Sequence, residues 1–324
     1  MPLNRRNFIA GIGAVAGVGM MNPSLSNVAM AAAPKAKGQV PGVYRTKVGG
    51  VQVTSIFDGG MEMGAGIVLD PKMSEINQLK RKAFIQTDHI PGYLNTFVVN
   101  TGSKLVLIDT GGADYGPGTG HLLENLNAAG YQPSDIDEIL MTHAHPDHVK
   151  GLTDKTGQPV FKKAVIRISS PEMDFWFSDE EKSARSGAAA AFDAARTNLT
   201  PYKLTGQIET FKPGDDIFSG VTSVDLKGHT PGHCGFRITD GAEQLLIWGD
   251  IVHMQALQFT HPEWSLTFDI DPKEAIKSRA RILDEVSSDR IRIGGMHLSF
   301  PGLGHVESSK LGYALVPQMW ESEV

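Results

Sequence analysis

Ile139-Leu140-Met141-Thr142-His143-Ala144-His145-Pro146-Asp147-His148 decides how this chain is read. An apolar, β-like run ends in three histidines and one aspartate within positions 143–148. Residues i and i+2 of an extended segment point the same way, so His143 and His145 share a direction. The tight turn after them redirects Asp147 and His148 toward a second point. Neutral imidazoles and a carboxylate converging at a strand end suit a metal ion, zinc first, with iron, manganese and cobalt also fitting. The plain alternative is a solvated loop with chance histidines. A cluster this dense at the end of a β-like run argues against it.

The surroundings read as strands feeding loops. Residues 51–57 alternate like a strand and stop at Asp58-Gly59-Gly60. Residues 94–100 and 104–109 flank Thr101-Gly102-Ser103 as a hairpin. Residues 120–129 predict a short helix closed by Gly130, and 136–142 form the strand that delivers the cluster. Further strands are expected at 164–168, 207–211, 222–226, 234–239, 244–248 and 290–293. A helical stretch from 171 into the 190s, with Phe175-Trp176-Phe177 near its start, has the character of an insertion. Residues 272–286 predict an amphipathic helix with proline in its first turn. Strands with helices in both halves predict an α+β chain built as a helix–sheet–sheet–helix (αββα) sandwich. Residues 34–45 read as a lead-in.

Three more signals sit where a strand meets a loop: Gly228-His229-Thr230-Pro231-Gly232-His233, Gly249-Asp250 and Met296-His297. Loops held by a rigid sheet are good places for ligands. In this order, the four signals resemble the metallo-β-lactamase superfamily, and Val106-Leu107-Ile108-Asp109-Thr110-Gly111 is similar to that family's strand and turn upstream of the cluster. Residues 100–107, 129–133 and 297–302 further resemble its methyl parathion hydrolase branch, which includes lactone and aryl-ester hydrolases.

The resemblance implies two divalent ions. His143, His145 and His229 would hold one, Asp147, His148 and His297 the other, and Asp250 would bridge them. It also implies hydrolysis by a hydroxide shared between the ions, with promiscuous action on phosphotriesters and a homodimer. Asp109 is expected to orient the cluster from outside, since ligating imidazoles need a partner on the other nitrogen; the alternative is a turn-capping aspartate. His233 is expected to support the ligands or to be structural and not to be a ligand itself, and His121 and His305 to be structural or solvated. Cys234 reads as a small buried thiol.

His253, three residues after Asp250, is the specificity signal. In acyl-homoserine lactonases of the superfamily this position resembles a tyrosine that touches the substrate carbonyl; in dedicated methyl parathion hydrolases it is leucine. A histidine favours a carbonyl oxyanion, and so a lactone or aryl ester; a rim histidine without a catalytic role is the alternative. Trp176, Phe192 and Phe268 are candidates for an apolar substrate pocket, with plain core packing as the competing reading.

Composition narrows the field. The 324 residues carry a formal net charge of −6 and no basic block, so nucleic acid is not an expected partner. The resemblance implies a small ester, lactone or phosphotriester as the partner. Asn4-Arg5-Arg6-Asn7-Phe8-Ile9, the short apolar run after it and Ala29-Met30-Ala31 read as a cleaved twin-arginine export signal over residues 1–33. The expectation is therefore a periplasmic domain over 34–324 with no membrane attachment after cleavage. One cysteine excludes an intrachain disulfide. A β-lactamase would want a cysteine ligand in the third signal, and Cys234 is misplaced for it. A dedicated organophosphate hydrolase and a non-catalytic metal- or signal-binding protein remain as alternatives.

Overall fold

Runs of buried, β-branched residues build two seven-stranded sheets. The first holds β1 (Val43–Val48), β2 (Val51–Gly64), β3 (His89–Asn100), β4 (Leu105–Ile108), β5 (Glu138–Leu140), β6 (Val165–Ser169) and β7 (Ile208–Phe211), side by side in chain order. The second holds β8 (Asp216–Phe218), β9 (Val221–Asp225), β10 (Cys234–Asp240), β11 (Glu243–Ile247), β12 (Arg292–Gly294), β13 (Leu303–Ser308) and β14 (Tyr313–Pro317), again in chain order. In the first sheet β1 to β4 pair antiparallel and β4 to β7 parallel. In the second only β11 and β12 are parallel. The computed structural model describes residues 35–323, so the export signal read over 1–33 lies outside the described residues. Val40–Val324 form one compact unit.

The helices are α1 (Met73–Lys82), α2 (Leu122–Ala128), α3 (Pro146–Val149), α4 (Ser170–Phe177), α5 (Asp179–Ala184), α6 (Ala189–Leu204), α7 (Gln255–Gln258) and α8 (Pro272–Ser288). None among the described residues is long and apolar enough to cross a membrane. The helix α8 shows how sequence sets structure. Pro272 fixes its first turn, and the Asp271 carboxylate caps it by accepting the Glu274 N–H at 3.0 Å. Its buried face, Ala275, Ile282, Leu283 and Val286, packs Ile282, Leu283 and Val286 against Leu246, Trp248 and Ile293 of the second sheet. Each such aliphatic side chain contributes roughly 1.5–3 kcal/mol by leaving water.

The inner faces of the two sheets meet in one core. Val53, Phe97, Val106 and Leu140 of the first interlock with Phe236, Ile238 and Ile247 of the second. The outer face of the first sheet is covered by α2, α4 and α6 through Leu126, Trp176, Phe192 and Leu199. The layers therefore run helix, sheet, sheet, helix, the αββα sandwich expected from the sequence.

The hairpin at residues 94–109 forms with Phe97 opposite Ile108. Other segments depart from expectation. The lead-in at 34–45 contains the start of β1, and α1, β8, β13 and β14 were not anticipated. The α6 helix runs through Pro201 to Leu204. The cluster strand is only three residues long, and just before it the Asp137 carboxylate accepts the Leu105 N–H at 2.8 Å.

Candidate metal centre

Every signal found in the sequence leaves a strand at its carboxyl end, where open sheets present ligands. After β5, the Thr142 N–H donates to Asp109 Oδ1 at 2.7 Å and the Thr142 hydroxyl to Oδ2 at 2.6 Å, which fixes the chain just before His143. Pro146 opens α3, where its missing N–H is harmless, and the single turn carries Asp147 and His148. After β9, Gly228 has φ +124° and stands so close to α8 that a Cβ would lie 2.1 Å from the Ala275 nitrogen. Only glycine lets the His229 loop sit there. Asp250 follows β11. His297 follows β12 in a loop whose Gly295, Met296 and Leu298 carbonyls all accept from the Asn95 amide, at 3.2, 3.0 and 2.7 Å.

The structure brings all seven residues together. His143, His145, His229 and Asp250 form one group, with His143 Nε2 3.0 Å from His145 Nδ1 and His145 Nδ1 2.8 Å from His229 Nε2. Asp147, His148 and His297 form a second. Asp250 belongs to the first and, with His253 and His297, to a third; its Oδ2 lies 3.2 Å from His229 Nε2 and 3.1 Å from His297 Nε2, and its Oδ1 lies 3.2 Å from His148 Nε2. His145 and Asp147 keep some exposure; the other five are buried.

The hydrogen bonds around this group test whether cations belong in it. His143 Nδ1 donates to the Thr142 hydroxyl at 3.0 Å, which itself donates to Asp109. His229 Nδ1 donates to Asp269 at 2.8 Å, His148 Nδ1 to Asp109 at 2.7 Å, and His297 Nδ1 to the Tyr93 carbonyl at 2.8 Å. A neutral imidazole has one N–H, so in each ring the inner Nε2 is left as a lone pair. These lone pairs face one another and the oxygens of Asp147 and Asp250. Buried His148 Nε2 and Asp250 Oδ1 have no hydrogen-bond partner. Lone pairs aimed at lone pairs fit a cation between them, and nitrogen with carboxylate oxygen fits a divalent transition ion.

The charge balance agrees. Burial pushes the His143 and His145 imidazoles well below their ordinary range. Burial also acts against charge on His148, but Asp250, Asp147 and Asp109 outweigh it and raise the ring well above that range. His229 is raised to about 9 as Asp250 and Asp269 overcome its burial. The carboxylates thus create a field that favours positive charge at the point where the histidines meet.

The remaining candidates fall into place around this centre. Asp109 bonds His148, as the need for an outer partner suggested, at φ +58°, a strained position for a side-chain-bearing residue. His233 donates from Nδ1 to the Leu226 carbonyl and accepts the Asp250 N–H at Nε2, at 2.8 and 2.9 Å, so it braces the backbone of Asp250. Cys234 is fully buried near the Thr142 carbonyl. His253 aims Nε2 at Asp250 Oδ2 from 2.9 Å, while its buried Nδ1 has no partner. Phe268 is half-buried with its ring centre 5.0 Å from that of His253 and 5.9 Å from that of His229, forming a wall of the centre. Trp176 and Phe192 are both 0% exposed and pack against each other with their rings tilted by 60°, and Trp176 is edge-on to His145 with ring centres 5.3 Å apart. In this conformation they back the ligand loop instead of presenting surface to a substrate. Asp269, Asn95 and Glu172 support the centre and gave no sign in the sequence.

A family model described as the metallo-beta-lactamase superfamily matches residues 89–292. The chain belongs to this superfamily. Lactonases are among the solved structures that it resembles. The crystal structure of the hydrolase AbOPH is similar with a TM-score of 0.84 and 32% identity, over 88% of this chain and 100% of that one. AidC, a dizinc quorum-quenching lactonase in complex with a product, has a TM-score of 0.80 and 27% identity, over 87% and 99% of the two chains. In sequence, the chain is 28% identical over 218 residues to a beta-lactamase-like protein 2 homolog of Drosophila melanogaster, 67% of this chain. It spans 61% of the length of that fly protein.

Proposed function

We propose that this superfamily member opens lactones or aryl esters with two divalent ions, zinc first, and turns over phosphotriesters as a side activity. The observation that carries the reading is Asp250, whose two oxygens face the two histidine groups at once. In this reading His143, His145 and His229 hold one ion, Asp147, His148 and His297 the other, and Asp250 both. Two such ions would supply a water ionised near neutral pH and an electrophile for the substrate oxygen.

The chain's own residues set the substrate. Phe268 offers an apolar wall for an acyl or aryl group beside the centre. His253 is held neutral: burial takes its ring down to about 4, despite the nearby Asp250 carboxylate. Its Nε2 faces Asp250 and the centre, and a proton there can be shared between Asp250 and a carbonyl oxygen on which negative charge develops. Such a donor favours planar acyl substrates over phosphotriesters. Similarity to AidC over most of both chains supports the lactone side of the reading. The twin-arginine pattern adds a periplasmic location, and the branch resemblance a homodimer, to the same proposal.

The test is direct. The purified chain with two equivalents of metal is assayed on dihydrocoumarin, an acyl-homoserine lactone, an aryl ester and paraoxon. Lactone or ester turnover that a chelator abolishes and zinc restores is the expected result. No turnover of any of the four with both ions bound would overturn the reading.

A further inference from the structure

One buried carboxylate joins two of the loops that carry the centre. Glu172 lies in the first turn of α4 and is 0% exposed. Its Oε1 accepts the Ala144 N–H at 2.9 Å and the Trp176 indole N–H. Its Oε2 accepts the Thr230 hydroxyl at 2.6 Å and the Gly232 N–H at 3.0 Å. Ala144 stands between His143 and His145, and Thr230 follows His229. One side chain therefore ties together the segments bearing all three histidines of the first group.

The packing fits a built-in spacer. A Cβ on Gly232 would lie 2.3 Å from the Glu172 nitrogen and 2.4 Å from Ser169 Oγ. The Ser169 hydroxyl donates to the Gly232 carbonyl at 2.7 Å, so the start of α4 is seated directly on the His229 loop. All four bonds to Glu172 come from neutral donors. A buried carboxylate held this way is costly where only packing is at stake. Two backbone N–H groups and an indole can only donate, so the site needs an acceptor on both oxygens, which an amide cannot offer. The second group is held differently, by Asp109 on His148 and the Tyr93 carbonyl on His297.

We propose that Glu172 is a positioning residue that sets the spacing of His143, His145 and His229, and with it the affinity of that group for its ion, without touching the ion. The proposal rests on the two-metal reading above. The experiment titrates metal-free wild type and Glu172→Gln with zinc against a chromophoric chelator, with thermal unfolding of the metal-free proteins alongside. Loss of a supporting partner outside a metal's ligands weakens binding by about 10- to 100-fold. The expected result is a loss of that size in one of two zinc-binding steps, with the other step and the metal-free melting temperature near wild type. Two unchanged steps overturn the proposal, as do two steps weakened alike, which would mark a general role in the fold. If Glu172→Gln does not fold, Trp176→Phe removes a single donor; a smaller loss in one step supports the proposal, and no loss or an equal loss in both overturns it. Wild type that takes fewer than two zinc ions overturns the two-metal reading itself, a failure visible before any variant is compared.

Discussion

Asp109 Oδ2 lies 2.7 Å from His148 Nδ1, and this bond decides which nitrogen of His148 faces the centre. The same carboxylate accepts both the backbone N–H and the hydroxyl of Thr142, so it takes three donors on two oxygens. An asparagine has one acceptor oxygen and must turn its NH2 toward a donor. Asp109→Asn is therefore expected to weaken metal binding or kcat/KM by about 10- to 100-fold. Chelator competition and steady-state rates at saturating metal measure the two effects. Wild-type behaviour in both would mean that His148 keeps its orientation without Asp109.

Gly232 and Gly187 make a matched pair. Neither has a positive φ, so strain in the backbone is not at issue. A Cβ on Gly232 would collide with backbone of α4, whereas one on Gly187 would meet nothing within 4 Å. Gly232→Ala must push α4 and the His229 loop apart, at a cost of about 1–3 kcal/mol for overpacking. It should also lower metal affinity. Gly187→Ala should leave metal affinity and the fold untouched. Urea unfolding of both variants checks the contrast, and equal stabilities would show that α4 yields freely.

What the sequence made legible follows from how locally each feature is encoded. The ligands were readable because they come in compact signals, each with glycine or proline beside strand-like runs. The groups that support them were not, because each is a lone polar residue whose partner is distant: Glu172 lies 28 positions from Ala144, Asp269 lies 40 from His229, and Asn95 about 200 from the loop it pins. Trp176 and Phe192 illustrate the limit of residue type, since an aromatic near the centre can face a pocket or a core, and only burial distinguishes them. Edge elements were lost for a related reason. Strand β14 is largely exposed and carries no strong apolar period; α1 is amphipathic but short and rich in charged and polar residues.

Away from the centre, Glu138 predicts how stability responds to acid. It is buried at 4% exposure on β5 and accepts from Lys104 and from Arg167 Nε at 2.6 Å. Burial would push its carboxyl up, but the two cations outweigh that and hold it below the usual carboxylate range. A carboxyl depressed in the folded state binds its proton more tightly when unfolded. Its contribution is thus present above the unfolded value of about 4.3 and disappears as pH falls through the folded one. Glu138→Gln should be less stable by about 1–3 kcal/mol near neutral pH. The gap should close as urea unfolding of the metal-free proteins is taken down to about pH 3. A gap that stays constant would mean the lost contribution is packing and not charge.

His253→Leu separates the substrate classes. Leucine keeps an apolar side chain against Phe268, whose ring lies 5.0 Å from the imidazole, but removes the only ring N–H beside Asp250 that a substrate oxygen could use. If the imidazole N–H donates to the developing oxyanion of an acyl substrate, lactone kcat should fall about 10²- to 10³-fold, the usual loss for one such donor. The KM should change far less, because the bond strengthens mainly in the transition state. Paraoxon turnover should hold or rise, since a tetrahedral phosphotriester gains little from a donor placed for a planar carbonyl. Parallel loss on both substrates, together with weaker zinc binding, would place the imidazole's role on Asp250, whose Oδ2 its Nε2 already faces at 2.9 Å. The two outcomes assign the imidazole to the substrate or to Asp250, and steady-state kinetics on the two substrates with zinc titration distinguish them.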